Sequence, residues 1–187
     1  FPYQRIVGIR QSVLPFRIKA GGEGYAWTSY GRYGTGDQVP LFHRLQTTAQ
    51  PPRSYYLPNF VAEAVRVYED SNGYALKIHE GRAQQFKIGS RVVRTDPAGE
   101  MLVNFYARKN ISRIPIIQGS DLLNGRVLVS QVKDKIVIYG TDTNLMHDYL
   151  RTPVREESGT EIIAYAQSNI LKGDYYHRPA CGLSLEQ

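Results

Sequence analysis

Residues 135–140 read Lys135-Ile136-Val137-Ile138-Tyr139-Gly140 and determine the fold class that we expect. The middle of this run is apolar throughout. A short run of this kind is typical of a strand that is buried on both faces, and such strands occur mainly in parallel sheets. The run therefore predicts an interior strand of a central, mostly parallel sheet.

One helix is predicted before this strand in the chain, and another is predicted after it. Residues 159–173 indicate a helix with Thr160 as the cap and Gly173 as the terminator. Residues 59–68 place apolar side chains at helical spacing behind Asn59, which can cap the helix. Further strands are predicted at 5–10, 39–45, 85–89, 91–93 and 101–106, and a short helix at 119–123. We expect a single α/β domain with a mostly parallel central sheet and flanking helices.

The composition excludes several classes of protein. The chain has 187 residues, 42% hydrophobic and 21% charged, which indicates one globular domain and not a disordered chain. The net charge is +6, but the basic residues are scattered, so we expect no nucleic-acid partner. The single cysteine, Cys181, excludes an internal disulfide. No stretch reaches the roughly 18 apolar residues that span a bilayer.

The loop after residues 135–140 is the predicted ligand site. In open α/β sheets, ligands bind outside the carboxyl ends of the strands. The polar residues there are Thr141, Asp142, Thr143, Asn144, Asp148 and Arg151. An alternative is that Asp148 and Arg151 pair with each other or bind nearby backbone, which would make them structural.

Catalytic and cofactor motifs are absent from the sequence. There is no Gly-Lys-Ser/Thr phosphate loop, no Gly-x-Ser-x-Gly turn and no zinc-helix spacing of histidines. We expect neither a cofactor nor an enzyme. Two alternatives stay open: a metal site formed by His147 with Asp142 and Asp148, and a small α/β hydrolase or nucleotide-binding enzyme that uses the loop 140–148.

A series of short motifs in the second half carries a family resemblance. They are Asp96-Pro97-Ala98-Gly99, Leu102-Val103-Asn104-Phe105, Ile114-Pro115, Ser120-Asp121-Leu122-Leu123-Asn124-Gly125, the run 132–140, Asp148, Arg151-Thr152-Pro153, the run 159–164, Asn169-Ile170-Leu171 and Tyr176-His177-Arg178-Pro179. In this order and spacing, roughly residues 91–179 resemble the CHASE2 family of extracellular sensor domains. The first half is similar only at 34–42, and the family's opening unit is not found.

This resemblance implies an extracytoplasmic sensory domain of a membrane-bound bacterial signalling protein. Such domains are followed by transmembrane helices and then by an output module such as a histidine kinase, nucleotide cyclase or diguanylate cyclase. We expect a homodimer that senses a small molecule or a protein. Residues 1–179 would form the sensor domain, incomplete at its N-terminal side, and 180–187 an exit segment or a cloning remnant. A purely structural interaction domain is a further alternative.

Overall fold

The computed structural model describes residues 14–26, 35–47, 50–106, 114–140 and 149–176. The helices are α1 (Leu14–Lys19), α2 (Phe60–Tyr68), α3 (Gly119–Leu123), α4 (Val129–Val132) and α5 (Gly159–Lys172). The strands are β1 (Gln38–Pro40), β2 (Phe42–Gln46), β3 (Ser54–Pro58), β4 (Tyr74–His79), β5 (Arg82–Ile88), β6 (Arg91–Arg94), β7 (Glu100–Leu102), β8 (Tyr149–Arg151) and β9 (Glu156–Ser158).

These strands form small antiparallel sheets. The largest has the order β4-β5-β6, and the pairs β1-β7, β2-β3 and β8-β9 form two-stranded sheets. Every pairing between these strands is antiparallel. The prediction of a mostly parallel central sheet is therefore wrong.

Residues 135–140 show why that prediction failed. They form no strand in the structure, and Val137 and Tyr139 are 58% and 91% exposed. A strand needs a neighbour that satisfies its N–H and C=O groups, and an apolar run does not specify that neighbour. Most strands pair instead with the next strand along the chain, as β4 does with β5 and β5 with β6. Short connections favour this antiparallel pairing.

Both long predicted helices are confirmed. The side chain of Asn59 accepts a hydrogen bond from the Val61 amide at 2.9 Å and caps α2 as predicted. Helix α5 ends at Gly173, which has a φ of 72°, a left-handed conformation that glycine adopts without strain. The predicted cap Thr160 is wrong, because Ser158 occupies that position.

The remaining predictions of local structure had mixed outcomes. The short helix at 119–123 is confirmed as α3, and the strands at 85–89 and 91–93 correspond to β5 and β6. The predicted strand 39–45 is divided into β1 and β2, and that at 101–106 is reduced to β7. The predicted strand 5–10 lies outside the described residues.

The hydrophobic core lies between the two long helices and the three-stranded sheet. Helix α2 packs on α5. Helix α2 also contacts β5, and α5 contacts β6. The buried residues of the core include Val61 and Val65 of α2, Ile162 and Ile170 of α5, and Ile88 of β5. Burying each such side chain stabilises the fold by about 1.5–3 kcal/mol. This packing fixes the position of α5, which carries two residues of the candidate site, Glu161 and Tyr165.

Candidate functional site

The predicted ligand loop falls largely outside the described residues. The loop residues that lie outside are Thr141, Asp142, Thr143, Asn144, His147 and Asp148. The loop site, its metal alternative and the enzyme alternative therefore remain predictions. Arg151 is described: it lies in β8 with an exposed side chain, and its carbonyl accepts a hydrogen bond from the Gly36 amide at 2.8 Å.

An open depression of about 300 Å³ in the protein surface, called the cavity below, lies between the segment that contains Ile114 and the start of α5. Its lining residues are Ile114, Ile116, Arg155, Glu156, Glu157, Glu161 and Tyr165. Isoleucine and tyrosine side chains give the cavity an apolar wall. Arg155, β9 and the first turn of α5 give it a charged wall. The sequence analysis named none of these residues as a site.

An ion pair organises the charged wall. The Arg155 guanidinium donates from Nε and Nη2 to the two carboxylate oxygens of Glu157, at 2.5 and 3.0 Å. Its Nη2 also lies 3.5 Å from a carboxylate oxygen of Glu161. Two carboxylates thus share one guanidinium, and the Glu157 side chain is only 3% exposed.

This arrangement shifts the pKa values of the pair. Burial raises the pKa of Glu157, and the neighbouring Glu161 adds to this, although the hydrogen bond and the charge of Arg155 oppose it. The hydrogen bond to Glu157 raises the pKa of Arg155, which keeps the guanidinium charged. The raised pKa means that burial and the nearby Glu161 disfavour the charged form of Glu157, which a further cation would stabilise.

A capping box fixes the position of Glu161. The Ser158 hydroxyl accepts a hydrogen bond from the Glu161 amide at 3.2 Å, and the Glu161 carboxylate accepts one from the Ser158 amide at 3.2 Å. The spacing Ser158-x-x-Glu161 is a sequence signal for this structure. Together with the preceding charged run at 155–157, it could have identified the charged wall.

Tyr165 connects the cavity with two other aromatic rings. Its ring lies edge-on to Phe105 with centroids 5.6 Å apart, and edge-on to Tyr106 with centroids 5.9 Å apart. Aromatic pairs prefer this edge-to-face geometry. The cavity wall is therefore continuous with the segment that follows β7.

A buried polar cluster, the Asn169 network, joins that segment to the end of α5. The fully buried Asn169 accepts a hydrogen bond from the Asn104 amide at 2.8 Å. Its Nδ2 donates to the Tyr106 hydroxyl at 3.2 Å and to the Asp174 carboxylate at 3.1 Å. The Tyr106 hydroxyl in turn donates to Asp174 at 2.6 Å. Partners of this kind offset the cost of burying an amide side chain.

Among the described residues, no group of three or more histidine, cysteine, aspartate or glutamate side chains is placed to hold a metal ion. Within those residues, no helix combines the length and the apolar character needed to cross a bilayer.

Comparison with known proteins identifies one family. The family model described as the CHASE2 domain matches residues 34–185. The match covers most of the chain, confirms the resemblance seen at 91–179 and extends it toward the N-terminal side. It includes both the cavity and the Asn169 network. No curated protein and no solved structure matches the chain.

Proposed function

The chain belongs to the CHASE2 family of extracellular sensory domains of signalling proteins, and we propose that it is the ligand-binding part of a membrane-bound bacterial receptor. The family's role is sensing and not catalysis. In this proposal, transmembrane helices flank the domain, and the output module is a histidine kinase, nucleotide cyclase or diguanylate cyclase.

The observation that carries the proposal is the cavity beside α5. A sensor needs a site whose occupancy changes the relative free energies of two arrangements of the protein. The volume of about 300 Å³ suits a small molecule. The site also combines apolar contacts with a few fixed polar groups, as small-molecule sites commonly do.

The charges of the cavity favour a ligand with a basic group. Three glutamates, Glu156, Glu157 and Glu161, line the cavity together with one cation, Arg155. Because Arg155 already donates to Glu157, a bound amine would complete the charge balance by pairing with Glu161. Ile114 and Tyr165 would contact the apolar part of the same molecule. We therefore expect a small amine that carries a hydrocarbon or aromatic group.

Calorimetric titration tests this proposal with matched probes. We expect 2-phenylethylamine to bind and 3-phenylpropionate, of similar size but opposite charge, not to bind. Glu161→Gln keeps a residue that supports the capping box but removes the charge, so amine binding should weaken about tenfold or more. Glu80→Gln, in the exposed turn after β4, is the control. Absence of amine binding, or equal binding by Glu161→Gln, would contradict the proposed ligand site.

Signal transmission would use a homodimer and the segment 172–179. Binding would change the balance between two arrangements of the dimer, and the segment that follows α5 would carry that change onward. Light scattering over a range of protein concentrations tests the dimer. A protein that stays monomeric at the highest concentration, with and without 2-phenylethylamine, would contradict this mechanism.

A further inference from the structure

We propose that the cavity is coupled to the segment after α5 through a relay formed by Tyr165, Tyr106 and Asp174. This inference rests on the proposed function, because it takes the cavity as the ligand site. It adds the physical route by which occupancy of the cavity reaches residues 173–176.

The relay begins at the cavity wall. Tyr165 lines the cavity but is only 5% exposed, so most of its ring is packed inside the protein. The rings of Tyr165 and Tyr106 meet edge to face, with a centroid distance of 5.9 Å and an interplanar angle of 62°. Because protein interiors are close-packed, a ligand that moves the Tyr165 ring also moves its neighbour.

The second step passes from Tyr106 to Asp174. The Tyr106 hydroxyl donates to the Asp174 carboxylate at 2.6 Å. Hydrogen bonds to a carboxylate are short and strong, and they depend steeply on geometry. The ring is further held by the Lys172 ammonium, 4.7 Å from its centroid. A displacement of the Tyr106 ring therefore weakens one of the two side-chain hydrogen bonds that anchor the Asp174 carboxylate, the other being donated by Asn169.

The third step is the attachment of residues 173–176 to the strand side of the domain. The Asp174 carbonyl accepts a hydrogen bond from Asn104 Nδ2 at 2.8 Å. The Tyr176 amide donates to the Leu102 carbonyl at 3.1 Å. Loss of the Asp174 anchor would loosen this attachment, and the exchange of the Tyr176 amide with solvent reports on it.

A second anchor of the same segment does not involve the relay. The Tyr175 hydroxyl accepts a hydrogen bond from the Arg94 amide at 3.1 Å and donates to the Val92 carbonyl at 3.2 Å. These hydrogen bonds join the segment to β6 and do not include Tyr106. Tyr175→Phe is therefore a matched control for Tyr106→Phe, because each substitution removes one tyrosine hydroxyl from an anchor of residues 173–176.

A double-mutant cycle read by amide hydrogen exchange tests the relay in the whole chain. Ile114→Ala alters the cavity. Exchange of the Tyr176 amide is measured in the wild type, in Tyr106→Phe and in Tyr175→Phe, each with and without Ile114→Ala. We expect Ile114→Ala to speed exchange about threefold in the wild type and with Tyr175→Phe, but to have almost no effect with Tyr106→Phe. If Tyr106→Phe does not fold, Asp174→Asn replaces it in the cycle.

An equal effect of Ile114→Ala in every background, or no effect in any, would overturn the relay. Titration with 2-phenylethylamine separates this failure from that of the ligand proposal. Binding of the amine with an additive cycle would refute the relay and leave the proposed function intact. A coupled cycle without amine binding would support the relay and refute the amine as ligand.

Discussion

Glu63 shows how one carboxylate can hold two elements of this fold together. It lies in α2, where it accepts hydrogen bonds from Arg66 at 2.7 and 3.0 Å and from the Tyr74 hydroxyl of β4. Burial would raise the pKa of Glu63, but the hydrogen bonds from Arg66 and Tyr74 outweigh it, and the net pKa is lowered. Its side chain, 10% exposed, is thus stabilised as the charged form.

We predict that Glu63→Gln destabilises the protein in a pH-dependent way. Because the folded pKa is lowered, the stabilisation is present above the unfolded value of 4.5 and is lost as the pH falls through the folded pKa. The variant should lose about 1–3 kcal/mol of unfolding free energy at pH 7, and less at pH 3.

Urea unfolding of both proteins between pH 3 and pH 8 measures this difference. Glu80→Gln, whose carboxylate is 80% exposed, is the control and should change stability by less than about 0.5 kcal/mol at any pH. A Glu63→Gln difference that is as large at pH 3 as at pH 7 would show that the charge is not responsible.

At the scale of elements, helix α5 begins and ends at residues whose types specify those boundaries. Ser158 and Glu161 satisfy backbone amides of the first turn, and Gly173 allows the left-handed turn that ends the helix. The same first turn contributes Glu161 to the charged wall of the cavity. The start of α5 therefore supports both stability and the proposed site.

We predict that Ser158→Ala lowers the unfolding free energy by about 1 kcal/mol, because the Glu161 amide loses its hydroxyl partner. Ser168→Ala, in the interior of the same helix, is the matched control and should be neutral or slightly stabilising, since alanine has the higher helix propensity. Thermal and urea unfolding measure both variants. Equal losses from the two substitutions would contradict the assigned role of Ser158.

At the scale of the whole molecule, the pairing of strands is the main feature that departs from expectation. The described sheets are antiparallel and small. Residues 114–140, which the structure describes without a gap, contribute no strand to them. In that stretch, α3 and α4 bury no residue. The buried core is instead built by α2, α5 and the sheet β4-β5-β6, together with residues 39–42 and 101–105.

Hydrogen exchange can test this topology directly. The amides of Val137 and Ile138 should exchange nearly as fast as those of an unfolded peptide, because their segment is not part of a sheet. Those of Phe86 and Ile88, in the central strand β5, should exchange at least about a thousandfold more slowly. Comparable protection of both segments would contradict the position of residues 135–140 outside the sheets.

The candidate site could be predicted only in part. The spacing Ser158-x-x-Glu161 marks the start of α5, and local hydrogen bonds are enough to produce it. That Ile114 and Tyr165 meet across one cavity has no local signal, because 50 residues of chain separate them. Such contacts arise from packing between distant segments, and short windows of sequence do not encode them.

The amino-acid sequence alone identified the two long helices, the Asn59 cap and the Gly173 terminator, because each depends on neighbouring residues. It also identified the family, because that depends on motifs in a given order. The antiparallel pairing of the strands, the exposure of residues 135–140 and the assembly of the cavity became visible only in three dimensions. The physical reason is that a strand and a cavity are both completed by distant segments. The apolar run at 135–140 indicates that these residues favour burial, but it does not specify the segment that would bury them.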